Sequence, residues 1–198
     1  MFSVDWFSNN IPVWQKQLKR FVGKQVNALE IGSYEGMSAL WLLQNILTHP
    51  KSRMYCIDSF EDDKKGIIMN TFQNNMEPFK SKYKLFKGKS SDILKTPQLL
   101  KTKFDVIYID GNHHSRHVLE DAVLAFALLK PKGILIFDDY TNSKDHDNRC
   151  PKPAIDAFLN AYANEIKVIY SRWQVIIEKR SKPINSRPCY SEFWPEPK

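Results

Sequence analysis

The chain lacks any apolar run approaching the ~20 residues that cross a bilayer, so no membrane-spanning segment is expected. Its first residues, Met1-Phe2-Ser3-Val4-Asp5-Trp6, lack the basic start and apolar core of a secretion signal. Cysteine is scarce. Cys56, Cys150 and Cys189 stand far apart and form no paired motif, which points to reduced thiols and a cytoplasmic location. No internal repeat is present. Apolar material is not lacking: 42% hydrophobic and 13% aromatic residues in a chain of 198 suffice for one folded domain and exclude a disordered one. That domain is expected over residues 1–180, with 1–23 as a leading helical segment. Residues 181–198, with Pro183, Pro188, Pro195 and Pro197, are expected to form an irregular tail.

Acid is under-represented, and unevenly so. Between positions 80 and 103, eight lysines face the single acid Asp92, an excess equal to the whole net charge of +7. Such a stripe suits an anionic partner such as nucleic acid. It contains no arginine and only two interleaved aromatics, Tyr83 and Phe86, which fits a solvated face better.

Alternation of short apolar runs with helix-length segments predicts an α/β fold. Strands are expected at 26–31, 54–57, 83–86, 104–109 and 133–137, and helices at 11–22, 37–47, 66–79, 91–100 (interrupted by Pro97), after 113 and at 154–163. Two further strand-like runs, 166–170 and 173–177, flank Ser171-Arg172 and predict a hairpin with a two-residue turn. Strands separated by helices imply a doubly wound, mostly parallel sheet.

Two of these runs end in acid. Val106-Ile107-Tyr108-Ile109 leads into Asp110-Gly111-Asn112-His113, and Ile134-Leu135-Ile136-Phe137 leads into Asp138-Asp139-Tyr140. In a parallel sheet both acidic ends lie on the carboxyl edge, where open sheets bind ligands. Between the first strand and its helix stands Glu30-Ile31-Gly32-Ser33-Tyr34-Glu35-Gly36. Its glycines permit a tight turn and close ligand approach, but the spacing is not that of dinucleotide binders. Glu35 at the helix start would repel a pyrophosphate, so a ligand with a cationic centre fits better. Asp58 closes the second strand, where a carboxylate can accept hydrogen bonds from both ribose hydroxyls.

Leu29-Glu30-Ile31-Gly32-Ser33-Tyr34-Glu35-Gly36, Ile57-Asp58-Ser59-Phe60, Gly88-Lys89-Ser90, Ile109-Asp110-Gly111-Asn112-His113 and Phe137-Asp138-Asp139-Tyr140 occur in order. Together they resemble the class I S-adenosylmethionine-dependent methyltransferases, and within these the small metal-dependent O-methyltransferase group that includes macrolide-sugar O-methyltransferases. The resemblance covers roughly residues 24 to 180 and implies a Rossmann-like, seven-stranded sheet with an antiparallel C-terminal hairpin. It implies that Glu30, Gly32, Ser33, Tyr34 and Gly36 hold the methionine end of the cofactor. Asp58 would take the ribose, with Ser59 and Phe60 beside it, and Ser90 would border the adenine. Asp110, Asp138 and Asp139 align with Mg²⁺-binding positions, and Asp110 also adjoins the cofactor. His113 matches the general base, a task that suits a side chain titrating near neutrality.

The implied activity is Mg²⁺-assisted O-methylation of a small hydroxylated molecule or sugar. The alternatives are an RNA methyltransferase using the lysine stripe and a methyltransferase-fold binding subunit without catalysis. Asp138 and Asp139 could instead cap the following loop. His113 and His117, four apart, offer a transition-metal alternative, although His114 and His117 are expected to face solvent. Trp14, Trp41 and Trp173 are expected to pack, whereas Tyr140 could pack or contact substrate. Lys89 stands where relatives often carry an acid, and Pro131-Lys132-Gly133 replaces the commoner Pro-Gly-Gly. No substrate domain is added, so the N-terminal segment, the 141–152 loop, the tail or a second subunit of a homo-oligomer must cover the acceptor.

Overall fold

The computed structural model describes residues 2–61, 63–141 and 149–184. The tail from residue 185, Cys189 and residues 142–148 of the expected covering loop lie outside the described residues. Seven strands form one sheet: β1 (Asn27–Ile31), β2 (Arg53–Asp58), β3 (Tyr83–Lys87), β4 (Phe104–Ile109), β5 (Leu129–Phe137), β6 (Ile166–Ser171) and β7 (Val175–Lys179). Their spatial order is 3-2-1-4-5-7-6. The first five run parallel, and β7 pairs antiparallel with both β5 and β6. This is the architecture the sequence resemblance implies.

The helices are α1 (Ile11–Leu18), α2 (Met37–Asn45), α3 (Ile67–Met76), α4 (Ser90–Ile93), α5 (Pro97–Leu100), α6 (Ser115–Leu128) and α7 (Lys152–Ala161). Because strand side chains alternate, β1, β4 and β5 feed two cores. Leu29, Ile107 and Leu135 join Ala122, Phe126 and Phe158 of α6 and α7 on one face. Ala28, Val106 and Ile134 join Trp14, Leu42 and Phe72 of α1, α2 and α3 on the other. Central strands buried on both faces account for the continuous apolar runs. No described helix is long and apolar enough to cross a membrane.

One local expectation is met and two shift. Pro97 divides the expected 91–100 helix in two and becomes the start of α5, where its missing N–H costs nothing. The strand expected at 133–137 starts earlier, at Leu129, and Lys130–Gly133 is an irregularity inside β5: register jumps from Phe104 opposite Leu129 to Val106 opposite Ile134, and Lys132 has φ +63°. The β6–β7 turn holds three residues, Arg172 to Gln174, not two, since Ser171 pairs with Val175. Ser-Arg cannot readily supply the positive φ angles of a two-residue turn.

The edge strand β3 explains part of the lysine stripe. Lys84 and Lys87 are exposed there, where charge discourages pairing with another sheet. Other members of the stripe are shared out locally. Lys80 pairs with Glu77, Lys89 with Glu61 and Lys95 with Glu120. Lys82 and Lys103 donate to the carbonyls of Leu47 and Ala127.

Candidate functional site at the carboxyl edge

Parallel pairing of β2, β1, β4 and β5 brings their carboxyl ends side by side, and every candidate residue follows one of the first five strands or lies near its end. On β1, Glu30 is fully buried. The Ser38 hydroxyl donates to its Oε1, while Oε2 and the Ser33 hydroxyl oxygen have no hydrogen-bond partner. Burial pushes the Glu30 carboxyl up to about 7, against the smaller opposing effect of the Ser38 hydroxyl. A buried, half-satisfied acid beside an idle hydroxyl is a receptor for a cationic, hydrogen-bonding group.

That geometry fixes a pH dependence. A carboxyl whose folded pKa exceeds its unfolded value stabilises the fold at low pH and loses that contribution as pH rises through the folded pKa. Stability of the ligand-free protein is therefore expected to fall between about pH 4.5 and somewhat above 7, by on the order of 3 kcal/mol from Glu30 alone. Thermal unfolding of Glu30→Gln across this range should show a gain over wild type that grows with pH. An unchanged difference from pH 5 to 8 would contradict the assignment.

The glycine loop is built differently from the expectation that its glycines clear space for a ligand. A Cβ on Gly32 would lie 2.0 Å from the Asp110 carbonyl oxygen, and one on Gly36 would lie 2.9 Å from the Phe72 ring. The missing side chains thus admit the chain itself. Asp58 braces the loop: its Oδ2 accepts the Ser33 and Tyr34 N–H groups at 2.8 and 2.7 Å, and its Oδ1 accepts the Phe60 N–H at 2.7 Å. Phe60 is buried against Phe72, whereas Ser59 is half-buried. Glu35 is buried, and its carboxylate takes the Ser3 N–H and hydroxyl at 2.6 and 2.7 Å. It ties down the N-terminal segment, a contact across 32 residues that no local pattern signals. Ser90 opens α4 and hydrogen-bonds Asp121 of α6, a buried acid pushed up to about 6 mainly by desolvation.

The second half of the edge gathers the acids. Ligand atoms of Asp110, His113 and Asp139 lie within 4.8 Å of one another, with His113 Nε2 3.0 Å from Asp139 Oδ2. Asp139 adopts φ +57°, which turns it away from the β5 direction. Asp138 is directed elsewhere. Its Oδ1 accepts the Asp139 N–H at 2.8 Å, and its Oδ2 meets the Tyr108 hydroxyl, which also lies 2.8 Å from Asp110 Oδ2. One phenolic proton serves two carboxylates, so a cation or a further proton is needed to balance the set. Burial first, and then the neighbouring Asp138 charge, drive the Asp110 carboxyl well above its ordinary range; burial also raises Asp138. A small cleft lined by Asp110, Asn112, His113, Asp138, Asp139 and Pro151 opens here.

His114 is exposed and His117 half-buried, and neither joins this group. Trp14 is fully buried and meets Trp41, whereas Trp173 is about half exposed (48%). Tyr140 is committed by its hydroxyl to Asp156 of α7 at 2.8 Å. Tyr108 is a site residue that sequence reasoning passed over. Its signal was available, because in a strand of period two it points to the same side as Asp110.

Residues 29–140 match the family described as Methyltransferase domain, Methyltransf_24. No curated protein matches the chain in sequence. Among solved structures, the O-methyltransferase TomG from Streptomyces achromogenes, in complex with SAM, is 16% identical with a TM-score of 0.66, over 90% of this chain and 82% of that one. An O-methyltransferase from Bacillus cereus in complex with SAH is 18% identical with a TM-score of 0.66, over 90% and 83%. The methyltransferase MycE from the mycinamycin biosynthetic pathway, in complex with Mg, SAH and mycinamycin VI, is 14% identical with a TM-score of 0.65. That alignment covers 89% of this chain, which spans 50% of the length of MycE.

Proposed function

Because this chain belongs to the methyltransferase-domain family, we propose that it transfers a methyl group from S-adenosylmethionine to a hydroxyl of a small molecule or sugar, with Mg²⁺ assistance. The observation that carries this reading is the division of one sheet edge into two chemistries. Glu30 Oε2 and the Ser33 hydroxyl stand unpartnered over β1, while Asp110, His113 and Asp139 converge beyond β4 and β5.

In this reading Glu30 and Ser33 receive the ammonium of the methionine moiety, the polar cation their unmet hydrogen bonds suit. The backbone of Gly32, Tyr34 and Gly36 shapes the surrounding turn. Asp58 holds that turn through two N–H groups, accepts a third from Phe60, and keeps one acceptor site for a ribose hydroxyl, with Ser59 and Phe60 beside it. Ser90 borders the adenine side. The cofactor supplies a methyl group made electrophilic by its sulfonium sulfur.

Asp110 and Asp139 offer hard oxygen ligands of the kind Mg²⁺ takes, with Asp138 held just behind them by Tyr108. Those carboxylates would hold Mg²⁺, which would supply Lewis-acid polarisation of an acceptor hydroxyl. His113, oriented by Asp139 at 3.0 Å, accepts the hydroxyl proton. The remaining contribution of the chain is alignment of two reactants in a shared cleft. The N-terminal segment tied to Glu35 is placed to border the cofactor loop.

Calorimetric titration of S-adenosylmethionine, with and without Mg²⁺ and a panel of hydroxylated acceptors, tests the reading. Binding of the donor is expected in every arm, and absence of binding in all of them would overturn the proposal. Chelation of divalent cations is expected to abolish turnover while leaving donor binding within about threefold. Full turnover after chelation would remove the metal from the mechanism. If turnover also appeared on RNA and fell steeply with salt, the lysine-stripe alternative would replace the small-molecule reading.

A further inference from the structure

One buried group of the described residues is unexplained by the site above. Gln174 is 1% exposed, lies in the β6–β7 turn, and has an amide nitrogen without any hydrogen-bond partner. Buried unsatisfied donors are costly and rare, so its persistence calls for a reason. Its orientation is fixed from the other side. The Trp14 indole N–H, from α1, donates to Gln174 Oε1 at 2.8 Å. An indole nitrogen can only donate, so rotating the amide would set donor against donor. The Gln174 nitrogen must therefore point away from Trp14.

Register shows where it points. Phe137 of β5 pairs with Val175 of β7 in an antiparallel ladder, so Asp138, one residue on, stands across from Gln174, one residue back. The amide nitrogen is close enough to help hold down the Asp138 carboxyl against the effect of burial, yet it completes no hydrogen bond. Asp138 in turn touches the Tyr108 hydroxyl, which reaches Asp110. The Trp14 ring also packs edge-on against the Tyr108 ring, with centroids 4.8 Å apart.

We propose that Trp14 and Gln174 are positioning residues that set the Asp138 carboxylate, and through Tyr108 the Asp110 carboxylate, for binding a divalent cation. The proposal rests on the metal-assisted reading above and adds to it a layer that touches neither cation nor substrate. Tyr108 and the Asp139 N–H hold Asp138 behind the converging ligands, and the idle Gln174 N–H is the donor in reserve for the Asp138 oxygen when the carboxylates turn to a cation. Partners of this kind, behind metal ligands, commonly govern affinity by 10- to 100-fold. The relay also makes α1 part of the cation site, although Trp14 and Gln174 are 160 residues apart.

The test is Mn²⁺ titration, by calorimetry and by loss of the free-ion paramagnetic resonance signal, on four folded proteins: wild type, Trp14→Phe, Trp14→Phe/Gln174→Leu and Asp139→Asn. The double variant removes donor and acceptor together and so leaves no buried polar group unpaired, while the smaller Phe ring leaves a gap beside Phe7 and Trp41 that lowers the thermal unfolding midpoint modestly without unfolding the protein. Its Mn²⁺ affinity is expected to fall roughly 10- to 100-fold with S-adenosylmethionine affinity unchanged. Trp14→Phe, which keeps an aromatic ring at this position and frees the amide to rotate, should shift affinity in the same direction. Should the double variant lose its fold, the result from Trp14→Phe decides. If either folded variant binds Mn²⁺ within about threefold of wild type while Asp139→Asn loses binding, the relay is wrong and the metal site stands. If wild type binds no Mn²⁺ but does bind S-adenosylmethionine, the relay and the metal fall together and the methyl-donor reading survives.

Discussion

Gly32→Ala is expected to lower the thermal unfolding midpoint by roughly 8–16 °C, the effect of about 4 kcal/mol on a domain of this size. Two independent costs coincide at this residue. Its φ of +86° lies where a side chain is strained, and its Cβ would fall 2.0 Å from the Asp110 oxygen, 2.5 Å from the Asp110 carbonyl carbon and 2.6 Å from the Gly111 α-carbon. All three neighbours are backbone, so no rotamer change relieves the clash. The chain must separate β1 from β4 where the Asp110 N–H bonds the Ile31 carbonyl and the Gly32 N–H bonds the Ile57 carbonyl, both at 2.8 Å. Donor binding should be lost along with stability, because Ser33 and Tyr34 hang from the same turn. Gly23→Ala is the control. Gly23 has φ +76° with nothing within 4 Å of the added carbon, so only conformational strain of about 1–2 kcal/mol should appear. Equal midpoints for the two variants would show that the contact with Asp110 carries no weight.

What was legible in the sequence was what depends on pattern. Apolar runs at Ala28-Leu29 in β1, Met54–Ile57 in β2, Val106–Ile109 in β4 and Ile134–Phe137 in β5 each end in an acid at the carboxyl edge, and that acid marks the site. That is why Asp58, Asp110 and Asp138 could be placed on one edge from their positions alone. The β1 side of the edge was equally visible in Glu30 and Gly32, although the reason for Gly32 was not. A close approach between two backbones leaves the same mark in a sequence as a close approach to a ligand.

Pairings across long separations were not legible. Glu35 at a helix start suggests an electrostatic filter, but its partner is Ser3. Asp138 and Asp139 carry the same side chain in adjacent positions, and the left-handed backbone of Asp139 and the Tyr108 hydroxyl give them different surroundings. The lysine stripe looked continuous because sequence order ignores geometry. In the fold, Lys95 answers Glu120 on α6, and Lys82 answers a carbonyl at the end of the α2 segment.

Asp110→Asn is expected to reduce turnover by roughly 10³-fold, the several kcal/mol a metal-polarised hydroxyl is worth, while making the ligand-free protein more stable above neutral pH. The two effects share one cause. Asp110 is half-buried in the cleft and is held well above its ordinary pKa by burial and then by the Asp138 charge. Ionising it therefore opposes folding. Because the folded pKa exceeds the unfolded one, that penalty is absent at acidic pH and grows as pH rises. The amide carries no charge but retains an oxygen to accept the Tyr108 hydroxyl, which the carboxylate accepts at 2.8 Å. Unfolding midpoints of variant and wild type should thus coincide near pH 4 and separate in favour of the variant toward pH 8. Mn²⁺ or Mg²⁺ in excess should reverse the order at pH 8, since only the wild type gains stability from a cation it can bind. A variant less stable than wild type at every pH, without metal, would mean that Asp110 is a structural acid satisfied in place. The opposite outcome would identify it as a residue kept charged, at the expense of the fold, for what it holds.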